Sequence, residues 1–170
     1  MKELEFEQTT VDLADVTKPE DYCTLKISKC DLTNLDGIEK FTNLEKLSIY
    51  YCRNLTELSG ISVLIKLKSL VLYSLPKHLK TYQLSGLDQL EHASYTNVKN
   101  LDSIKDIEKL PKLSHLGLSN TKIGDGDYSA IIDNHSLKRV FWFGAPFKSP
   151  ALKQIKSARP DLVIGGNNAK

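Results

Sequence analysis

Two histidines, three cysteines and one acidic run are the residues whose types and spacing could do chemistry in this 170-residue chain. His92 and His115 each begin a stretch whose alternate residues (Ala93 and Tyr95, Leu116 and Leu118) are apolar or Tyr. If those stretches are neighbouring strands, the imidazoles lie roughly 5 Å apart. Two imidazoles could begin a metal site, but a zinc site normally takes at least three protein ligands. The residues in line with them are Ser69 and Arg139, and an arginine repels a cation. The pair therefore reads as contact residues whose mutual repulsion favours the neutral forms. Three cysteines, an odd number, argue against a disulfide framework and for a reducing compartment, and Cys23 has no histidine placed to activate it. Asp125, Asp127 and Asp133 lack the ligand run of a calcium loop and read as a helix cap. No phosphate loop, nucleophile elbow or paired-carboxylate cleft is found, so neither catalysis nor a cofactor or metal is expected.

What must position these residues is a repeat. Leu44 to Leu55 reads L-E-K-L-S-I-Y-Y-C-R-N-L, and the pattern recurs with starts at Met1, Tyr22, Leu44, Leu67, Leu90, Leu113, Leu137 and Arg159. The third and fifth residues after each start run from Leu4 and Phe6 to Leu162 and Ile164. Every one of these inward positions is apolar or Tyr, in a chain that is 41% hydrophobic overall. Alternation of this kind makes a short strand with one buried face. One unit cannot bury that face alone, so the units must stack in parallel, about 4.8 Å apart, around a continuous core. The return segments are apolar at three-residue steps (Leu55, Leu58, Ile61 and Leu64; Leu101, Ile104, Ile107 and Leu110), which suits 3₁₀ turns. Pro76-Lys77-His78 breaks that step. Gly124-Asp125-Gly126-Asp127 predicts a helix over 128–133, and Ser149-Pro150 predicts another to about Ala158 with Leu152 and Ile155 inward.

The string L-x-x-L-x-L-x-x-N/C-x-L resembles the leucine-rich repeat. Asp36-Gly37-Ile38, Ser59-Gly60-Ile61 and Ser85-Gly86-Leu87 resemble the convex turns of internalin-like and phosphatase-regulator-like repeats, and the return after Ile123 is closer to the ribonuclease-inhibitor type. The resemblance implies a single-domain α/β solenoid with about eight parallel strands on a concave sheet and a 3₁₀ and short-helical convex side. Residues 1–21 form an N-terminal capping repeat, 22–158 the central repeats and 159–170 a C-terminal capping strand and tail. Cys30 and Cys52 fall on the repeat's own Asn/Cys position, which implies buried, unreactive packing. That position otherwise holds Thr9, Leu75, Val98, Thr121, Ala145 and Asn167. A continuous Asn ladder is missing, and irregular turns are the expectation.

In such a solenoid the outward strand residues line the concave, binding face. Here they include Tyr50, Tyr51, Tyr73, Phe141 and Phe143, aromatic anchors of the kind enriched at interface hot spots. They also include Lys26, Lys29, Lys46, Arg139, His92 and His115 and no acid, while Glu3, Glu5 and Glu7 gather on the first strand. A partner protein with an acidic patch is the expectation. Net charge is only +2, so nothing demands nucleic acid, and no apolar run approaches the roughly 18 residues of a membrane span. Residues 1–7 lack an apolar signal core, so a cytoplasmic protein is expected. The first functional expectation is non-catalytic recognition by a small intracellular inhibitor, as ribonuclease inhibitors and some bacterial immunity proteins of this repeat class act. The alternative is a scaffold or adaptor subunit that assembles a complex.

Overall fold

Residues 2–75, 79, 84–144 and 150–165 are described by the structure, a computed structural model. Eight strands follow one another in the chain: β1 (Lys2–Glu7), β2 (Tyr22–Ser28), β3 (Lys46–Tyr50), β4 (Ser69–Tyr73), β5 (His92–Thr96), β6 (His115–Gly117), β7 (Arg139–Phe141) and β8 (Val163–Gly165). They form one sheet in sequence order, each parallel to the next. Register stacks equivalent repeat positions, with Leu25 on Leu47, Leu47 on Leu70 and Leu70 on Ala93. These inward columns are buried and continuous with the return-segment residues Leu55, Leu58, Ile61 and Leu64 in a single apolar core. The α/β solenoid read from the repeat is the observed architecture.

The convex side carries 3₁₀ turns at Ile38–Lys40, Ile61–Val63 and Lys105–Lys109 and two helices, α1 (Ser129–Asp133) and α2 (Pro150–Ala158). Gly37 opens its turn at φ 93°, and a Cβ there would lie 2.4 Å from the backbone nitrogen of Ala14, so only glycine fits. Ahead of α1, the Asp127 carboxylate accepts the Ser129 N–H at 2.8 Å, and those hydrogen bonds hold its pKa below the usual value. Leu152 and Ile155 of α2 are buried, on the face the sequence assigned to them. Met1, the break at Pro76-Lys77-His78, Ala145, the cap Ser149 and the tail 166–170 with Asn167 lie outside the described residues.

The turns after the strands are regular, contrary to the expectation from the missing Asn ladder. Gln8, Lys29, Tyr51, Ser74, Asn97 and Asn120 all adopt left-handed backbone, at φ from 49° to 56°, and Gly144 follows them at 97°. That bend points each N–H across to the next repeat: Lys29 donates to Tyr50 O at 2.8 Å, Tyr51 to Tyr73 O at 2.9 Å and Asn97 to Ser119 O at 2.8 Å. The backbone itself supplies the ladder. At the Asn position, Cys30 and Cys52 donate their thiols back to Ser28 O and Tyr50 O, and burial pushes the Cys52 thiol up to about 11. Thr121 makes a full rung, its hydroxyl donating to Tyr95 O and accepting from Val98 N.

The last strand differs from its expected placement. Val163 pairs with Arg139 and Ile164 with Val140, so Ile164 takes the first inward position and Leu162 is buried ahead of the strand. The residues 159–161 are spent on a turn instead. Leu162 N–H donates to Arg159 O, and the Arg159 guanidinium, 6% exposed, donates to Asn134 O and Leu137 O while pairing with Asp161 at 2.9 Å.

Candidate partner-binding face

The parallel register turns the outward residues into rows that cross the sheet. One row runs Lys46, Ser69, His92, His115, Arg139, and the row beside it runs Lys26, Ser48, Val71, Ser94, Gly117, Phe141. Along these rows the candidate residues fall into two groups.

The first group lies on β2 to β4. Tyr50 and Tyr73 face each other at 6.1 Å between ring centres, and Tyr51 meets Tyr73 edge-on at 5.1 Å. A hydrogen bond with Tyr73, followed by partial burial, raises the Tyr51 phenol above its usual pKa. Tyr51 stays 44% exposed, so this aromatic cluster has a free rim. The cations beside it are already matched: Lys26 pairs with Glu5 at 2.5 Å and Lys29 with Glu7 at 3.1 Å. This narrows the set of cations open to an acidic partner, since Lys26 and Lys29 are paired within the sheet. Glu5 on β1 stands directly opposite Lys26 on β2, so the acids of the first strand neutralise the second before any partner arrives. Lys46, one strand on, is exposed and forms no ion pair among the described residues.

The second group lies on β5 to β7. His92 and His115 stack with ring centres 4.6 Å apart and planes 13° from parallel. The His115 Nδ1 is 2.8 Å from the Ser114 hydroxyl. Desolvation lowers the His115 pKa first, and the neighbouring His92, Arg139 and Lys138 lower it further. At His115 burial is thus the leading cause, followed by repulsion from His92 and only then by the Arg139 charge. Arg139 lies over the Phe141 ring, 5.8 Å from its centre. Phe141 is 40% exposed and Phe143 half-buried. Between the histidines and these two rings the sheet opens into a groove of about 470 Å³, with Val71, Ser94 and Gly117 also in its lining. Gly117 was the signal in the sequence that went unused, since a glycine inside a strand marks a site where something approaches closely.

The family model of the LRR domain of the endo-beta-N-acetylglucosaminidase EndoS matches residues 8–121, more than half of the chain. The chain belongs to this leucine-rich repeat family. Among solved structures it is similar to an internalin (inlF) from Listeria monocytogenes, with a TM-score of 0.51 and 20% identity over 74% of this chain and 43% of that one. The chain spans less than half the length of that internalin, and the likeness is one of fold. No curated protein matches the sequence.

Leucine-rich repeat solenoids generally bind other proteins, commonly along an extended concave surface. Trp142, which lies between Phe141 and Phe143 in the chain, is not among the outward residues. It is fully buried against Tyr128, with ring centres 5.0 Å apart. On the convex side Val63 and Ile65 are 53% and 62% exposed, a small apolar pair away from the concave rows.

Proposed function

We propose that this leucine-rich repeat chain recognises a partner protein through the concave rows of β3 to β7 and carries out no catalysis of its own. The observation that carries this reading is the solvent-facing aromatic set: Tyr51 and Phe141 remain exposed on a face whose strands are otherwise satisfied by one another. Aromatic side chains bury much area with few rotamers to freeze, and an exposed set on a rigid sheet is pre-organised for contact. In the finer form of the proposal the chain is a cytoplasmic inhibitor of the toxin-immunity kind, which blocks an enzyme or toxin by covering it.

The test is capture at moderate salt by immobilised wild type beside a Tyr50→Ala/Tyr73→Ala/Phe143→Ala variant. One stoichiometric partner held by the wild type and lost by the variant is the expected result, and abolition of that partner's activity in the complex would mark inhibition. Equal capture by both would move recognition off the concave face.

A second reading, a scaffold or accessory binding module, draws on Val63 and Ile65, whose exposure gives the convex side a contact surface of its own. The name of the matching family also describes repeats that are one domain of an enzyme. An adaptor would hold two partners at once, one of them sensitive to Val63→Ser/Ile65→Ser, and would leave their activities intact.

A further inference from the structure

We propose that the groove between β5 and β7 receives an acidic segment of the partner bearing one bulky apolar side chain. The side chain seats against Phe141 and Phe143, and the carboxylate is taken by the row of His92, His115 and Arg139. This rests on the reading of the concave rows as the recognition surface, and it names the chemistry that surface selects.

Shape supplies the first half of the argument. Gly117 places no side chain between Ser94 and Phe141, where the flanking strands put one. The resulting groove of about 470 Å³ is walled by two aromatic rings, one of them half-buried, so an inserted side chain meets apolar surface on its sides and backbone at its floor. Charge supplies the second half. Lys26 and Lys29 spend their charge on Glu5 and Glu7, whereas Arg139 pairs with no carboxylate among the described residues and rests on the Phe141 ring. A guanidinium held over an aromatic face forms no hydrogen bond with it and keeps its N–H donors for a carboxylate. The stacked imidazoles extend the same row, with Nε2 of His115 left without a protein partner among the described residues. The nearby chain carries one acid, Glu91, next to His92, against Lys138 and Arg139 on β7 and its approach. Complementarity therefore favours an anionic segment over a cationic one. A metal is a poor occupant, because the described residues bring no third His, Cys, Asp or Glu to the pair.

Three capped octapeptides in a Gly-Ser background test this, with Phe-Glu, Phe-Lys or Ala-Glu at the centre, followed by amide and aromatic NMR shifts in 0.15 M salt. The expected result is that the Phe-Glu peptide binds at least about tenfold more tightly than either other, with shifts at Gly117, Phe141 and Phe143. Arg139→Gln should reduce the preference for Phe-Glu over Phe-Lys to about threefold or less while keeping the preference for Phe over Ala. Gly117→Leu, made together with Ser94→Ala because a Cβ at Gly117 would come 2.9 Å from the Ser94 hydroxyl, should abolish the preference for Phe. Equal binding of Phe-Glu and Phe-Lys would overturn the proposal. So would the absence of binding by any peptide at millimolar concentration, or displacement of the peptide by a concentration-dependent dimer, which would give the groove to a second copy. None of these results touches the capture of a partner by the wild type and its loss in a Tyr50→Ala/Tyr73→Ala variant, which leaves Phe141 and Phe143 of the groove in place, so the broader reading stands or falls separately.

Discussion

Across β1, β2 and β3 the outward acids and bases meet each other: Glu5 with Lys26, Glu7 with Lys29, and Glu45 with Lys68 at the entry to the next strand. Across β5, β6 and β7 the outward residues meet as stacked histidines and an arginine on a phenylalanine, with a groove between them. Both regions are built on the same repeat and over the same core. The difference lies in what occupies equivalent outward positions, and it shows that charge counted along a sequence is not charge available to a partner. One region pairs Lys26 and Lys29 with acids of the neighbouring repeat and leaves only Lys46 of its outward strand cations unpaired among the described residues, and the other keeps its cations at the rim of an apolar recess.

That contrast predicts a separation between stability and recognition, which variants can break or sharpen. The largest effects should be common to both regions, because the core is continuous. Leu47→Ala in β3 and Leu116→Ala in β6 each remove a side chain with 0% exposure, and each should lower stability by about 2–5 kcal/mol in urea unfolding. A loss confined to one of them would mean that the regions unfold independently. Next in size is Gly144→Ala at the end of β7. Its φ of 97° and a Cβ only 2.1 Å from the Asn120 side-chain oxygen should cost about 1–2 kcal/mol or more, read by the same unfolding curve. Smaller still is the effect of charge removal on association. Lys26→Met/Lys29→Met should leave the partner's association rate within about twofold at physiological salt, whereas Arg139→Gln should slow it and flatten its salt dependence. A large slowing in the first variant would contradict the internal pairing.

The smallest predicted effect is a titration. The His115 pKa, followed by NMR, should lie below the ordinary histidine value of about 6.5 and rise toward it in Arg139→Gln. The sign for stability follows from the lowered value. The unfolded chain binds the proton first as pH falls through the ordinary value, so this histidine's contribution to native stability is present above that value and declines below it.

The fold was legible in the sequence because inwardness depends only on residue type at a fixed step, and positions such as Leu47, Ile49, Leu70 and Leu72 admit no other reading. The final repeat was less so. Leu162 and Ile164 alternate equally well in two registers, and only the turn anchored by the Arg159 guanidinium on the carbonyls of Asn134 and Leu137 decides between them. The regular turns were missed because they reside in backbone N–H groups that no side-chain pattern reports. Of the candidate site, the aromatic residues and the stacked histidines were readable from repeat position. The neutralisation of Lys26 was readable too in principle, since the repeat step sets Glu5 opposite it. The groove was readable only as the glycine inside a strand at Gly117, because its extent depends on the side chains that flank that position.

The central claim is that recognition belongs to the concave rows, and two variants of matched apolar character test it on the captured partner. Phe141→Ala/Phe143→Ala alters the concave side and Val63→Ser/Ile65→Ser the convex side, and neither touches a fully buried residue. The account predicts that the dissociation constant rises about a hundredfold or more in the first variant and stays within about threefold in the second. The reverse ranking would place recognition on the convex returns and contradict the account.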